Sequence, residues 1–282
     1  MSVQLGTVAA IGFNDFAPAP WLECFRQLGC KVVQAYRNQD ARVSIQQMRD
    51  AIAAGQMPCD SLHGVFGEQF DPSSPLESAR RFAVDTYKAE GELCLKLGGS
   101  LVVVHCSTIR PHGIPPAERE RRTLQLKQSI RELGVAGQQM GVRYAFENLP
   151  GYHALGWDVQ ELADLLTEVG VPGTGMCFDT GHANMTTDVA DSLGKTAGTV
   201  IYVHLNDNSG KADEHDMPTC GKLDTDDVAR KLHQIGYSGT AMLEVFYSVD
   251  RLRQLIGEGC GKRLQRFIDL ANGIENPSAP TG

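Results

Sequence analysis

The chain has 282 residues, of which 42% are hydrophobic and 21% charged, and its formal net charge is −8. This is the composition of an ordinary globular protein with room for one large α/β domain or two smaller ones. The acidic balance argues against broad electrostatic binding of nucleic acid, and no apolar run approaches the roughly 20 residues that span a bilayer.

Targeting and redox signals are also sparse. The N-terminus has no basic segment followed by an apolar region, as a secretory signal would have, and the eight cysteines form no C-x-x-C pair. Cys24, Cys94 and Cys177 lie among apolar residues and are interpreted as buried small hydrophobes. We therefore expect a cytoplasmic protein with reduced thiols and no membrane or nucleic-acid partner.

Short apolar runs alternate along the chain with stretches of helical spacing. Strands are predicted at 4–13, 30–36, 61–66, 100–106, 142–148, 174–179, 200–205 and 241–246. Helices are predicted at 20–28, 44–54, 76–97, 116–140, 158–169, 187–197, 224–235 and 249–271, with Ser44 and Asp158 as N-caps. The strands are apolar throughout, which is typical of parallel strands buried on both faces.

Eight strand–helix units in a chain of this length predict an α/β fold, the (β/α)8 TIM barrel, which typically needs ~250 residues. We expect one barrel domain over residues 1–273 and a flexible tail over 274–282, which contains two prolines. The alternative is an open, doubly wound sheet. The chain shows no G-x-G-x-x-G after its first strand, which disfavours that alternative as a dinucleotide-binding protein.

Polar residues recur at the ends of the predicted strands, where barrel active sites are located. From the third strand to the eighth they are His63, His105, Glu147, Asp179, His204 and Glu244. In a barrel these residues must converge on one mouth. Glu147 and Glu244 each follow an apolar strand, and a buried lone carboxylate is costly unless it is paired or binds a metal. The sequence thus predicts a metal site, although the two histidines have the alternative of being ordinary core residues.

Two further stretches extend this pattern. Asp179 is followed by Thr180 and Gly181, and the glycine is expected to allow a sharp turn that returns His182 to Asp179. A carboxylate and an imidazole in this arrangement suit a divalent metal, or a metal and its substrate. The polar loop after His204 carries Asp213 and His215. It is either a solvated loop or a lid that supplies both residues to the substrate or to a second metal.

Together these stretches resemble the xylose isomerase-like barrel superfamily. The motifs are Phe146-Glu147-Asn148, Cys177-Phe178-Asp179-Thr180-Gly181-His182, Val203-His204-Leu205-Asn206-Asp207, Asp213-x-His215 and Leu243-Glu244. The superfamily includes isomerases and epimerases of sugars and sugar phosphates, inosose dehydratase-like proteins and endonuclease IV. The resemblance extends from His63 to Glu244 but does not select one of these branches.

For the isomerase and epimerase branch, the resemblance implies one divalent metal ion (Mn, Mg, Co or Zn) held by Glu147, Asp179, His204 and Glu244. Glu147 and Glu244 would also be the acid/base pair that moves a proton of a sugar, sugar phosphate or polyol through a metal-stabilised enediolate. The remaining candidates for substrate binding are His63, His105, His182, Asp213, His215 and Arg37. Arg37 follows the second strand and is either a phosphate or hydroxyl ligand or a surface arginine.

For the endonuclease IV branch, the resemblance implies up to three zinc ions and cleavage of abasic DNA. The nine residues with the required identity are His63, His105, Glu147, Asp179, His182, His204, Asp213, His215 and Glu244. The absence of a basic stripe argues against this branch. The residues Thr219-Cys220-Gly221-Lys222 also depart from the glycine-rich turn usual in both branches.

Three further questions stay open at this stage. A dehydratase or lyase acting on a cyclic polyol is an alternative within the sugar branch. A barrel that binds a sugar or metal without turnover is another. The exposed helix faces leave room for a homodimer or homotetramer.

Overall fold

Eight parallel strands close into a barrel in this computed structural model, which describes residues 2–108 and 113–275. The strands are β1 (Gln4–Ile11), β2 (Val32–Arg37), β3 (Cys59–His63), β4 (Leu101–His105), β5 (Arg143–Glu147), β6 (Thr174–Asp179), β7 (Val200–Leu205) and β8 (Thr240–Leu243). Each strand pairs with its neighbours in sequence order, and β8 pairs with β1 to close the barrel. The predicted (β/α)8 barrel is confirmed.

Helices surround the barrel. They are α1 (Pro18–Gln27), α2 (Ile45–Ala54), α3 (Glu77–Leu97), α4 (Pro116–Met140), α5 (Val159–Val169), α6 (Thr180–Asn184), α7 (Val189–Lys195), α8 (Thr225–Gln234), α9 (Val249–Gly257) and α10 (Cys260–Ala271). The Ser44 side chain accepts from the Gln47 backbone N–H in a capping box, and Asp158 caps α5, as predicted. Three-residue 3-10 helices occur at Glu68–Phe70 and Ala197–Thr199.

Two helical predictions are corrected. The single helix expected at 249–271 is wrong, because Gly259 has a φ of 81° and the chain forms α9 and α10 on either side of it. The short helix α6, directly after β6, has no counterpart in the prediction. Five residues are too few to show a helical period, so the sequence pattern gives no sign of it.

The core lies between the barrel and the helices. On β5, Tyr144 and Phe146 are fully buried, and the Tyr144 hydroxyl donates to the Tyr87 backbone oxygen on α3. The alternate residue Glu147 therefore faces the barrel interior, since successive side chains of a strand point to opposite faces. This alternation is what places the polar strand-end residues inside the barrel.

Other expectations concern the cysteines, the membrane and the tail. Cys24, Cys94 and Cys177 are buried, as predicted, and the described structure holds eight free thiols, of which only Cys220 is exposed. Within residues 2–108 and 113–275, no helix combines the length and hydrophobicity that a bilayer crossing needs. Apart from Ile274 and Glu275, the predicted tail at 274–282 lies outside the described residues.

Candidate active site

A cavity of about 330 Å³ opens where the barrel strands end. Seven of the predicted site residues line it: His63, His105, Glu147, His182, Asp213, His215 and Glu244. Asp179 and His204 are buried beside them, with His204 3.0 Å from Glu147 and 3.8 Å from Asp179. Residues from six strand ends and from the loop after β7 thus converge on one place, as barrel topology requires.

Four of these residues form a buried central cluster. The Nδ1 atom of His204 lies 3.0 Å from Glu147 Oε1, 2.9 Å from Glu244 Oε2 and 3.8 Å from Asp179 Oδ2. One ligand atom from each of the four side chains lies within 4.8 Å of all the others. Three carboxylates and one imidazole around a common point suit the harder divalent ions.

The hydrogen bonding of the central cluster fits a bound cation. Nδ1 of His204 carries one proton at most and bonds Glu147 Oε1. In the described part of the chain, Glu147 Oε2 and Glu244 Oε2 are buried and accept no well-aligned hydrogen bond, although imidazole nitrogens lie 3.2 and 2.9 Å from them. Buried carboxylate oxygens without donors are costly. A divalent ion at this point would supply the positive charge that they lack.

Asp179 is held rigidly at the tip of β6. Its carboxylate caps α6 by accepting from the His182 backbone N–H at 2.7 Å, and its other oxygen accepts from Asn206 Nδ2 at 2.8 Å. Asn148 bonds the Asp179 backbone on both sides, donating to its carbonyl at 3.0 Å and accepting from its N–H at 2.7 Å. Neither asparagine stands out in the sequence as a site residue, although Asn148 directly follows Glu147.

Gly181 serves a different purpose from the one predicted. The chain does turn from β6 into α6 here, and it returns His182 to Asp179 as predicted, with Nδ1 3.6 Å from Oδ1. The φ of Gly181 is not positive, however, so the turn does not depend on glycine's conformational freedom. A Cβ atom at this position would lie 1.7 Å from Asn206 Oδ1. The glycine therefore permits the close approach of α6 to the asparagine that holds Asp179.

A second group of ligand atoms lies on the β3 and β4 side of the cavity. Nε2 of His63 is 3.7 Å and Nε2 of His105 is 3.2 Å from Glu147 Oε2. These three side chains could hold a metal ion together. Burial lowers the pKa of His105, which favours the neutral imidazole that binds metals.

A third group comes from α6 and the loop after β7. Nε2 of His182 is 3.4 Å and Nε2 of His215 is 3.2 Å from Asp213 Oδ1. The loop does bring Asp213 and His215 to the cavity, as the lid interpretation requires. The nine residues named in sequence thus fall into three groups, with Glu147 shared by two of them.

Asp207 anchors this loop. Its buried carboxylate accepts from the backbone N–H groups of Asn208, Thr219, Gly221 and Leu223 at 2.8 to 3.2 Å. Thr219 has a φ of 77°, a left-handed conformation that glycine adopts without strain. The departure from a glycine-rich turn is therefore accommodated by a strained threonine, and the loop still reaches the cavity.

The charges of the two glutamates are set by their histidine neighbours. Burial raises the pKa of Glu147, but His204, His105 and His63 outweigh it and hold that pKa well below its ordinary value. Burial likewise raises the pKa of Glu244, but His204 and His215 lower it to about 2. Both side chains are therefore carboxylates at neutral pH, the form that can accept a proton or a cation.

The pKa values of the other two residues of the central cluster, Asp179 and His204, are raised instead. Burial, with Glu147 and Glu244 nearby, raises the pKa of Asp179 to about 6. Burial lowers the pKa of His204, but Cys177, Glu244 and Glu147 outweigh it and hold that pKa well above its ordinary value. Without a metal, the imidazole itself is the cation that balances the carboxylates.

The structure does not bring Arg37 to the cavity. Its two terminal nitrogens donate to the Glu90 carboxylate on α3 at 2.8 and 2.6 Å. Strand alternation turns the preceding residue, Tyr36, inward, and Tyr36 lines the cavity instead. Phe66, whose ring stacks on His105 at 4.7 Å between centroids, is a second aromatic lining residue that the sequence analysis did not single out.

The family model for xylose isomerase-like TIM barrels matches residues 8–264. The chain belongs to this family. An uncharacterized protein of Methanocaldococcus jannaschii, MJ1311, is 27% identical over 190 residues, which are 65% of this chain and 63% of that relative, less than two thirds of its length. The D-psicose 3-epimerase of Ruminiclostridium cellulolyticum is 25% identical over 224 residues, covering 76% of this chain and 69% of the epimerase.

Solved structures of two other proteins share the fold. The D-allulose 3-epimerase of a Methylomonas species, in complex with D-allulose, has a TM-score of 0.74 at 16% identity, covering 94% of this chain and 96% of that one. A D-tagatose 3-epimerase-like protein has a TM-score of 0.73 at 18% identity, covering 96% and 98%. At these identities the likeness establishes the barrel fold and no more.

Proposed function

We propose that the protein is a divalent-metal-dependent epimerase or isomerase that acts on a sugar or a related polyol. The observation that carries this proposal is the position of Glu147 and Glu244 at the cavity. Both carboxylates contact Nδ1 of His204, at 3.0 and 2.9 Å, and both line the space where a small molecule can enter. The names of the relatives, which include D-psicose 3-epimerase, support the same chemistry.

Glu147, Asp179, His204 and Glu244 would hold the ion, with His204 contributing Nδ1. When bound, a divalent ion polarises a carbonyl oxygen and thereby acidifies the neighbouring C–H group. One glutamate, already ionised, would accept that proton. The other would first have to take up a proton from solvent, which it would then give to the opposite face for epimerisation or to the neighbouring carbon for isomerisation, while the first glutamate releases its proton to solvent.

The shape of the cavity agrees with a substrate of this size. A volume of about 330 Å³ is at the small end of the range for small-molecule sites. Its lining alternates aromatic rings, such as Tyr36 and Phe66, with charged groups. Aromatic faces can pack against the C–H faces of a sugar while the charged groups bind its hydroxyls.

The experiment that tests the proposal is incubation of the metal-loaded protein with D-psicose and D-fructose in heavy water. We expect deuterium to enter the carbon beside the carbonyl only with metal present, and Glu147→Gln to abolish this exchange. No exchange with any member of a ketose panel would contradict the proposal. Sugar binding without exchange in the wild-type protein would indicate a binding protein instead.

A second candidate, a zinc-dependent phosphodiesterase acting on abasic DNA, is favoured by one observation. The nine ligand-type residues form three groups of the kind that could hold three ions. Elemental analysis of protein purified without chelator, with His63→Ala beside it, separates the two functions. About one ion, kept in His63→Ala, supports the sugar enzyme. Three zinc ions, reduced in His63→Ala and accompanied by nicking of abasic DNA, would support the phosphodiesterase. The distant surface variant His233→Ala is the control.

A further inference from the structure

Tyr36 and Phe66 line the cavity on the side of β2 and β3, across from the strand that carries Asp179. The central cluster comes from the ends of β5 to β8, whereas Tyr36 lies at the end of β2 and Phe66 follows β3. In the closed barrel, β2 lies across from β6, which carries Asp179. Tyr36 nevertheless lies near the cluster, because its ring packs against His63, whose Nε2 lies 3.7 Å from Glu147 and 3.9 Å from Glu244, so a sugar held at the cluster comes within reach of Tyr36.

The ring of Tyr36 is fixed by aromatic neighbours on several sides. Its centroid lies 4.7 Å from that of His63, 5.3 Å from that of Phe246 and 5.9 Å from that of Phe13. These contacts use the ring and not the hydroxyl group. The direction of the hydroxyl is thus set by packing alone, and replacing tyrosine by phenylalanine keeps every one of these contacts.

The hydroxyl group of Tyr36 has no partner among the residues that the structure describes. The other six tyrosines are partly or fully buried and each donates to a carbonyl or carboxylate oxygen: Tyr87, Tyr144, Tyr152, Tyr202, Tyr237 and Tyr247. Burial, and then the carboxylates of Glu244 and Glu147, raise the pKa of Tyr36. The phenol therefore keeps its proton at neutral pH and is available as a donor inside the cavity.

We infer that the Tyr36 hydroxyl donates a hydrogen bond to a substrate hydroxyl on the β2 side of the cavity, and that it selects sugars carrying that hydroxyl. The inference rests on the proposed function for its substrate class. The inference gives Tyr36 the role of binding a substrate hydroxyl, which the sequence suggested for its neighbour Arg37. Because a fixed donor without a partner is penalised, a sugar lacking the matching oxygen binds less well.

The test combines Tyr36→Phe with D-psicose and its monodeoxy analogues, measured on the metal-loaded protein. With D-psicose, we expect Tyr36→Phe to lower kcat/KM by roughly 5- to 20-fold, the range for one lost hydrogen bond. With the one analogue that lacks the partner hydroxyl, wild type and Tyr36→Phe should give equal kcat/KM. The analogue for which the two kcat/KM values are equal also identifies the substrate hydroxyl to which Tyr36 donates.

Tyr237→Phe is the matched control. It removes a hydroxyl that donates to the Thr240 backbone oxygen at 2.8 Å near the start of β8, away from the cavity. We expect its kcat/KM to equal that of wild type for every sugar. If Tyr36→Phe lowers kcat/KM equally for D-psicose and all its analogues, the hydroxyl does not read the substrate and the inference is overturned. An unchanged kcat/KM with D-psicose overturns it as well.

Calorimetric titration with D-psicose separates this inference from the proposed function. If the wild-type protein binds the sugar without exchanging deuterium, the proposed activity fails. Tyr36 is then judged by the ratio of dissociation constants, which should rise by the same factor in Tyr36→Phe. If the wild-type protein binds neither D-psicose nor any other ketose of the panel, the proposed function and the inference both fall.

Discussion

The Nδ1 atom of His204 lies 2.9 Å from Oε2 of Glu244, and the two side chains are 0% and 5% exposed. Without a bound ion, a protonated imidazole is what makes this arrangement of buried carboxylates tolerable. The same nitrogen is the atom that would bind a metal. Proton and metal ion therefore compete for one position.

We predict that metal uptake by the apo-protein releases about one proton from His204, because its Nδ1 cannot hold both. The pKa of His204 is held above its ordinary value, so the proton is present at neutral pH and opposes binding. Apparent metal affinity should consequently rise as the pH increases from about 6 to about 8. Calorimetry in buffers of different ionisation enthalpy measures the proton count. An affinity independent of pH would contradict the prediction.

The two glutamates should be individually essential for turnover. Glu147→Gln and Glu244→Gln each remove a proton acceptor, for which a loss in kcat of roughly 10² to 10⁴ is expected. Deuterium exchange and product formation should fall together in each variant. Glu120→Gln, an exposed change on α4, should be inert. If either cavity variant kept near-normal kcat, that glutamate would not be an acid or base of the reaction.

Gly181→Ala should weaken the metal site without touching a ligand. The added Cβ would meet Asn206 Oδ1 at 1.7 Å and push away the amide that donates to Asp179. We expect a stability loss of about 1–3 kcal/mol and lower metal affinity. Gly257→Ala, at a helical position with open space around it, is the control and should be neutral or slightly stabilising. Thermal melting measures the stability of both variants, and metal titration measures their metal affinity.

Asp207→Asn should loosen the loop that carries Asp213 and His215. An amide has one acceptor oxygen, whereas the carboxylate accepts four backbone N–H groups with two. Hydrogen exchange of the amides at 219–223 should become faster, with a stability loss of about 1–3 kcal/mol. Asp250→Asn, with a side chain 96% exposed, is the control. Unchanged exchange at 219–223 would show that the loop is held by other contacts.

Thr219→Gly should stabilise the protein relative to Thr219→Ala. Both changes remove the hydroxyl that accepts from Arg263 at 2.8 Å. The difference in stability between the two variants therefore reports the conformational strain of the backbone at residue 219. At a φ of 77° glycine is unstrained and alanine is not, which should favour glycine by about 1 kcal/mol. Chemical denaturation of the two variants measures the difference. Equal stability would show that the loop relaxes around residue 219.

The barrel and the convergence of its polar residues could be predicted because strand ends are visible as the last residues of apolar runs. Glu147 and Glu244 stand out for this reason. Arg37 could be either a substrate ligand or a surface residue in sequence, because strand alternation decides which of Tyr36 and Arg37 faces inward and the register of β2 is not visible in its apolar run. Gly181 illustrates another limit. A glycine needed for close approach to Asn206, 25 positions away, looks the same in sequence as a glycine needed for a turn.

Closure of the barrel has a consequence for biosynthesis. Gln4 pairs with Thr240, and Val3 exchanges hydrogen bonds with the Asn272 side chain, so the edge of β1 that does not face β2 is paired only when β8 has been made. During synthesis on the ribosome, β1 therefore keeps one unpaired edge. The ligands of the central cluster are synthesised over the same period, one strand after another. Nascent chains that still lack β8 would thus expose two sheet edges, the condition that favours association and chaperone binding.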